Sequence, residues 1–263
     1  MVTPSPDVTA HVRRLWRHRG TTPPTPRRGP RRQLDLDEIL EAGIALADAE
    51  GLAAVSTRAI AAKFDKTAMA LYPYVGTKEN LLALMQDHAS ALPAWEDPAT
   101  SLADALQAWA GALFEVYLAH PWLTGRPWSQ ATQGPHEQDW LERLVRIFDT
   151  WGVPPGALPP AITMLYATVR ATASTAAAYR STDERGATEW TRQAQATAKE
   201  VPDLRERYPR STSLEPLTPD WRDNPRAALT GAVRLVATGL AATTTARSTD
   251  APDPPDGDDR SPA

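Results

Sequence analysis

The amino-acid sequence predicts an all-α protein, and three observations carry that prediction. From Thr100 to Arg247 apolar residues recur at about the 3.6-residue period of a helix, as in Leu102, Leu106, Trp109, Leu113, Val116 and Tyr117, with His120 next on the same face. Between Leu34 and Leu92 shorter helical patterns are punctuated by Gly, Pro and capping residues. No window alternates apolar and polar residues long enough to make a half-buried strand. The chain is expected to divide into a disordered basic arm (1–33), a small helical domain (34–92), a larger one (93–247) and a disordered acidic tail (248–263).

With 263 residues the chain can bury a substantial core. It has no cysteine, which excludes disulfides and thiolate metal sites. No apolar run approaches the roughly 20 residues of a membrane span, and the arginine-rich N-terminus lacks an apolar signal core, so a cytoplasmic protein is expected. The net charge is only −4, but it is unevenly distributed. Residues 1–33 carry eight arginines against Asp7, and Arg58, Lys63, Lys66 and Lys78 stand against Asp65, leaving the rest of the chain strongly acidic. Basic charge gathered at one end of an acidic chain is a footprint for a polyanion.

The elements follow in order. Residues 20–33, rich in Pro and Arg, read as a mobile arm, with room within Ala10–Arg19 for a short amphipathic turn that places Val12, Leu15 and Trp16 together. Asp35 and Glu38 form a capping-box pattern ahead of Leu36, Ile39, Leu40, Ile44, Leu46 and Ala47, and Gly51 closes that helix. A second helix starts at Ser56 or Thr57 and turns Ile60, Ala61 and Phe64 inward. Thr67 caps a third, Ala68 to Tyr74, which buries Leu71 and Val75 and presents Ala68, Met69, Ala70, Tyr72 and Tyr74 outward; Pro73 stops it short. Thr77 caps a fourth, "KENLLALM". Two short helices joined by a tight turn, the second exposing polar-tipped rings, describe a helix-turn-helix. Exposed tyrosines suit phosphate oxygens and thymine methyls.

The run "EILEAGIALADAEGLAAVSTRAIAAKFDKTAMALYPYVGTKENLLALM" resembles the DNA-binding domain of the TetR (tetracycline-repressor) family of bacterial transcription regulators. The resemblance rests on the "STR" helix start, the "ALYPYV" segment and the "TKENL" start, in that order without gaps. It implies an N-terminal three-helix helix-turn-helix DNA-binding domain followed by a larger C-terminal helical ligand-binding and dimerisation domain. It also implies that Ser56, Thr57 and Arg58 reach phosphate or base, that Thr67 to Tyr74 read the DNA, and that Lys78 grips phosphate. The chain departs from the family at "FDK", where glycine and an apolar residue are usual. Asp65 must take the left-handed turn, and Lys66 must snorkel outward towards phosphate.

In the larger domain Trp140, Leu141, Leu144, Ile147, Phe148 and Trp151 mark a second helix face, Ile162, Leu165, Tyr166 and Val169 a third, and Leu229, Val233, Val236 and Leu240 a last one. "AHPWL" and "GPHEQDWLERL" resemble a C-terminal domain of actinobacterial family members. The resemblance makes the last two of these helices a homodimer interface and the domain a site for a small-molecule effector, for which Trp109, Tyr117, Phe148 and Tyr166 are the candidates. His88, His120, His136, Glu137 and Asp139 lack the spacing of a helical metal site, and no catalytic or cofactor motif is present, so neither metal nor cofactor is expected. The resulting expectation is a ligand-released repressor, cytoplasmic and nucleoid-associated, acting as a homodimer on a palindromic operator. Two other readings stay open: a helical interaction module without DNA binding, and, remotely, an enzyme.

Overall fold

A computed structural model describes residues 5–21, 34–94, 99–126, 131–181, 184–215, 217, 218 and 220–249. Eleven α-helices and no strand occur among them.

The first helix, α1 (Pro6–Leu15), stands where a disordered basic arm with a short turn within Ala10–Arg19 was expected. Ser5 caps it by accepting from the Val8 amide, Pro6 supplies the fixed φ of a first turn, and Asp7 complements the helix dipole. Leu15 is 3% exposed and belongs to the core. The remainder of the expected arm, residues 22–33, and nearly all of the expected acidic tail lie outside the described residues.

Helices α2 (Leu36–Glu50), α3 (Thr57–Ala62), α4 (Tyr72–Val75) and α5 (Lys78–Ala89) make the small domain. Asp35 caps α2 by accepting from the Asp37 amide at 2.7 Å, and Gly51 ends it at φ +82°. Ser56 and Thr77 cap α3 and α5 through bonds from the Ala59 and Asn80 amides. Ile39, Leu40, Ile60, Leu71, Val75, Leu81, Leu84 and Met85 close the core, each fully shielded from water. Gly43 lets α2 pass near α3 and α5: an added Cβ would meet the Met85 sulfur at 2.9 Å.

The larger domain holds α6 (Leu102–Ala119), α7 (Pro135–Thr150), α8 (Leu158–Ser181), α9 (Glu184–Glu200), α10 (Leu204–Arg207) and α11 (Asn224–Thr249). Helices α6, α8 and α11 pack against one another, and α7 covers the end nearest α5. Trp109 lies at the centre, fully buried, with its ring edge-on to Trp140 and Tyr166 and its indole N–H donating to the Trp140 carbonyl at 3.1 Å. Aromatic pairs in this geometry gain about 0.5–1.5 kcal/mol beyond burial. Both domains share one continuous cluster of buried residues.

Candidate nucleic-acid interface and regulatory cavity

The turn after α3 is built where the sequence departs from its family pattern. Asp65 adopts φ +53°. The Asp65 amide donates to the Ala62 carbonyl at 3.3 Å and the Lys66 amide to the Ala61 carbonyl at 3.0 Å, the paired bonds of a Schellman motif. Asp is among the few non-glycine residues that tolerate this region, so the helix-turn-helix angle forms without glycine. Lys66 is half-buried.

The expected single helix over Ala68–Tyr74 is instead divided. A 3₁₀ turn spans Ala68–Ala70, and α4 begins only at Tyr72. Pro73 carries no amide to give to the Met69 carbonyl, and its ring crowds that carbonyl, so the α ladder breaks there rather than merely ending early. Thr67 has the extended backbone of a cap but makes no capping side-chain bond. The outward face survives the break. Met69 is 74% and Tyr72 44% exposed, while Leu71 and Val75 are fully buried. Ala68, Ala70 and Tyr74 are half-buried, and Tyr74 packs against the core. Arg58, Thr67 and Lys78 are exposed around this face, and Ser56 and Thr57 are half-buried. The Ser56 hydroxyl accepts the Ala59 amide, which leaves its own O–H as a donor.

Of the four aromatic residues proposed for ligand contact, the structure brings two together. Tyr117 and Tyr166 line a cavity of about 50 Å³ between α5, α6, α7 and α8. Trp109 and Phe148 are fully buried core residues outside that lining. A stripe at helical spacing does not distinguish a wall from a core. Burial pushes both tyrosine hydroxyls above their ordinary range, and for Tyr117 the bonded Arg170 guanidinium pulls back. Both phenols are therefore neutral donors at physiological pH.

The polar lining was missed by sequence reasoning because it comes from separate elements: Gln86 and Asp87 on α5, Arg126 after α6, Glu137 on α7 and Arg170 on α8. Arg126 bonds the Gln86 side chain, and burial lowers its pKa. Asp87 is 3% exposed and accepts the backbone N–H groups of His136 and Glu137 at 3.2 Å each. Burial raises its pKa to about 7, against the opposing effect of those bonds. The indole of Trp140 donates to the Ser90 carbonyl at 2.8 Å. The last helix of the small domain thus forms one wall of the cavity and is bonded to α7.

The histidines considered for metal take structural partners. His120 contacts Asp48 at 2.9 Å beside the Trp122 indole N–H, and His88 lies near Arg17 and Asp37. No cluster of three such ligands occurs among the described residues.

A family model described as tetracyclin repressor-like, C-terminal domain, matches residues 92–242. The HTH-type transcriptional repressor DrrR1 of Streptomyces coeruleorubidus is 36% identical over 166 residues, which are 61% of this chain and 59% of that relative. The chain therefore spans less than two thirds of that relative's length. Among solved structures, ActR of Streptomyces coelicolor in complex with actinorhodin superposes with a TM-score of 0.66 at 23% identity, covering 80% of this chain and 98% of that one. The S. coelicolor transcriptional regulator SCO7222, a TetR, superposes with a TM-score of 0.57 at 25% identity, covering 80% and 98%. The C-terminal match over more than half of the chain meets an N-terminal helix-turn-helix that leaves Met69 and Tyr72 exposed, and the chain belongs to the tetracycline-repressor (TetR) family of transcriptional regulators.

Proposed function

We propose that this protein is a transcriptional repressor whose homodimer binds a two-fold symmetric operator and is released from it by a small, largely apolar molecule. The observation that carries the reading is the outward set of Met69 and Tyr72 on a segment seated by buried Leu71 and Val75 and flanked by exposed Arg58 and Lys78. In this reading Met69, Tyr72 and Tyr74 meet base edges and sugar, with Ala68 and Ala70 allowing close approach. Ser56, Thr57, Arg58, Lys66, Thr67 and Lys78 hold phosphate.

The dimer is supported by α8 and α11. The stretch Trp221–Thr244 is long and apolar enough by length and composition to cross a membrane, yet only 22% of its most apolar window is buried. Leu229, Val233, Ala237 and Leu240 face α6 and α8, while Gly231, Leu235, Thr238 and Gly239 face outward. On α8 the outward residues include Met164, Ala167, Ala171 and Ser174. These are adjacent outward faces, mostly of small uncharged residues, suited to the close approach of a second copy rather than to lipid, since the exposed Arg226 and Arg234 interrupt α11.

The effector reading is supported by the cavity. About 50 Å³ is far below the roughly 300 Å³ of an occupied ligand site, so a ligand enters only by spreading α5, α6, α7 and α8. Because α5 belongs to the DNA-binding domain, such a ligand favours an arrangement different from this one, which is the differential affinity that release requires. The protein acts at the nucleoid in the cytoplasm and serves as a binding protein rather than an enzyme.

The test is enrichment of a random duplex library on the purified protein, followed by salt titration of the enriched and a scrambled duplex. A two-fold symmetric consensus with half-sites about 34 Å or somewhat more apart, bound more weakly as salt rises, supports the reading. Absence of any enriched sequence overturns it.

A further inference from the structure

Helix α1 and the residues after it touch both domains. On the DNA-binding side, Arg14 donates from Nη2 to the Pro73 carbonyl at 3.3 Å, and Arg17 donates from Nε to Asp37 at 2.9 Å. On the other side, the Trp16 indole N–H donates to the Gln133 carbonyl at 3.2 Å, and Arg19 pairs with Asp139 at 2.5 Å. Gln133 adopts φ +56°, and with Asp65 it is one of two non-glycine residues in the left-handed region among those described. Its amide donates to Glu137, which also lines the cavity.

Arg14 is the unusual member of this set. It is 9% exposed and forms no ion pair among the described residues; its one side-chain bond there is to Pro73. A guanidinium largely shielded from water, bonded to one neutral carbonyl and attracted by Asp7 only through space, is a poor way to fill space, and an apolar side chain would pack there at lower cost. What the guanidinium supplies is direction. Helix α4 has four residues, too few to hold itself, and of its carbonyls only that of Tyr72 meets a backbone amide of its own turn, that of the closing Gly76. Arg14 meets one of those carbonyls, and its Nη1 would lie 3.6 Å from a Cβ placed on Gly76, the residue that closes α4.

We infer that Arg14 is a positioning residue for the DNA-reading segment, and that α1 is a strap passing the placement of the α7 N-terminus on to that segment. The functional consequence rests on the DNA-binding reading above; the mechanical linkage does not. One end of the strap holds the carbonyl between Tyr72 and Tyr74, and the other holds the Gln133 turn where α7 meets the cavity. A change in the cavity wall therefore reaches the recognition segment along a second path besides α5.

The first test needs no DNA. Hydrogen exchange in the full-length protein reads the amides of Tyr74, Val75 and Gly76, which bond to Leu71 and Tyr72 carbonyls. Arg14→Gln accelerates these by about tenfold or more while the buried amides of α2 keep their protection. The double variant Trp16→Phe with Arg19→Gln, remote from α4, accelerates the same three amides. Unchanged exchange in Arg14→Gln overturns the positioning role, and unchanged exchange in the double variant overturns the strap. Should Arg14→Gln loosen α2 as well, Arg14→Lys, which keeps the cation and loses the fork, decides by an increase confined to residues 74–76.

The second test compares enriched and scrambled duplexes. Arg14→Gln narrows the affinity ratio about tenfold with the scrambled affinity and the salt slope unchanged. If both affinities fall together and the slope drops by about one, Arg14 is a phosphate contact and the inference is overturned. Should the parent protein enrich no sequence, the DNA-binding reading fails by itself, and the exchange data still decide the strap.

Discussion

The Oδ1 of Asp87 accepts the backbone N–H of Glu137 at 3.2 Å, so the last helix of the DNA-binding domain caps a helix of the regulatory domain. The neighbouring His136 amide bonds to the same oxygen. A carboxylate at a helix N-terminus is favoured by the dipole, yet here it is almost fully shielded from water. Burial wins, and the carboxyl titrates near neutrality. The joint between the two domains is therefore charged or neutral according to pH.

That joint sets a pH dependence of known sign. The folded pKa of about 7 lies above the ordinary 3.8, so between these values the folded protein holds a proton that the unfolded chain has released. This contribution to stability is full below about pH 4, declines as pH rises towards about 7, and is flat beyond, with a slope of at most about 1.4 kcal/mol per pH unit. Asp87→Asn keeps an acceptor for the two amides and removes the titration. Urea midpoints measured from pH 5 to 8 should decline in the parent and decline less in the variant; parallel curves would refute the assignment.

Gly134 is required by the same contact. A Cβ there would lie 2.2 Å from Asp87 Oδ1, so Gly134→Ala must displace the carboxylate or α7. A loss of about 1–3 kcal/mol is expected, as for other overpacked sites. Combined with Asp87→Ala, the two losses should be less than additive, because the clash disappears with the carboxylate. Thermal denaturation of the three variants checks this.

Two of the positive-φ turns of the small domain, at Asp65 and Gly76, should respond in opposite ways. Asp65→Gly relieves a left-handed residue and should add about 0.5–1 kcal/mol. Gly76→Ala should destabilise by about 1 kcal/mol or more, since φ is +77° and the new Cβ would stand 2.8 Å from Asn80 Nδ2. A lower melting temperature for Asp65→Gly would mean that the Asp65 side chain holds the turn by contacts of its own.

On DNA, positioning and reading should separate. Arg58→Ala and Lys78→Ala should weaken binding to enriched and scrambled duplexes alike and reduce the salt slope by about one each. Tyr72→Ala should cost about 1–3 kcal/mol on the enriched duplex and little on the scrambled one. Equal loss on both duplexes for Tyr72→Ala would remove it from the reading face.

Leu235 tests the dimer. It is 76% exposed on the small-residue face of α11. Leu235→Glu places a charge where a second copy would exclude water, at a cost of several kcal/mol per interface if left unpaired. Sedimentation velocity should show a dimer for the parent and a monomer for the variant; a dimer for both would place the interface elsewhere.

The sequence alone determined whatever is decided within a few residues along the chain. Asp35, Ser56 and Thr77 cap helices through amides two or three positions away, and Gly51 and Asp65 end helices through their own φ, so these boundaries and the left-handed turn were legible. The inward sets Ile39–Leu40–Ile44 and Leu71–Val75 were equally legible, because periodicity fixes which residues share a face. The effect of Pro73 was legible only in part: that it interrupts a helix is local, whereas the continuation of the turn beyond it depends on the buried seats of Leu71 and Val75. Tertiary structure decided the rest. Trp109 and Tyr117 stand on one helix at similar spacing, but only the approach of α5 and α7 leaves Tyr117 at a cavity and seals Trp109 in the core. The N-terminal arginines read as a free arm because their composition is that of a solvated chain. Arg14, Arg17 and Arg19 are instead drawn in by Pro73, Asp37 and Asp139, partners up to 120 residues away. Local propensity carries no record of such partners, because their energy exists only once the helices have docked.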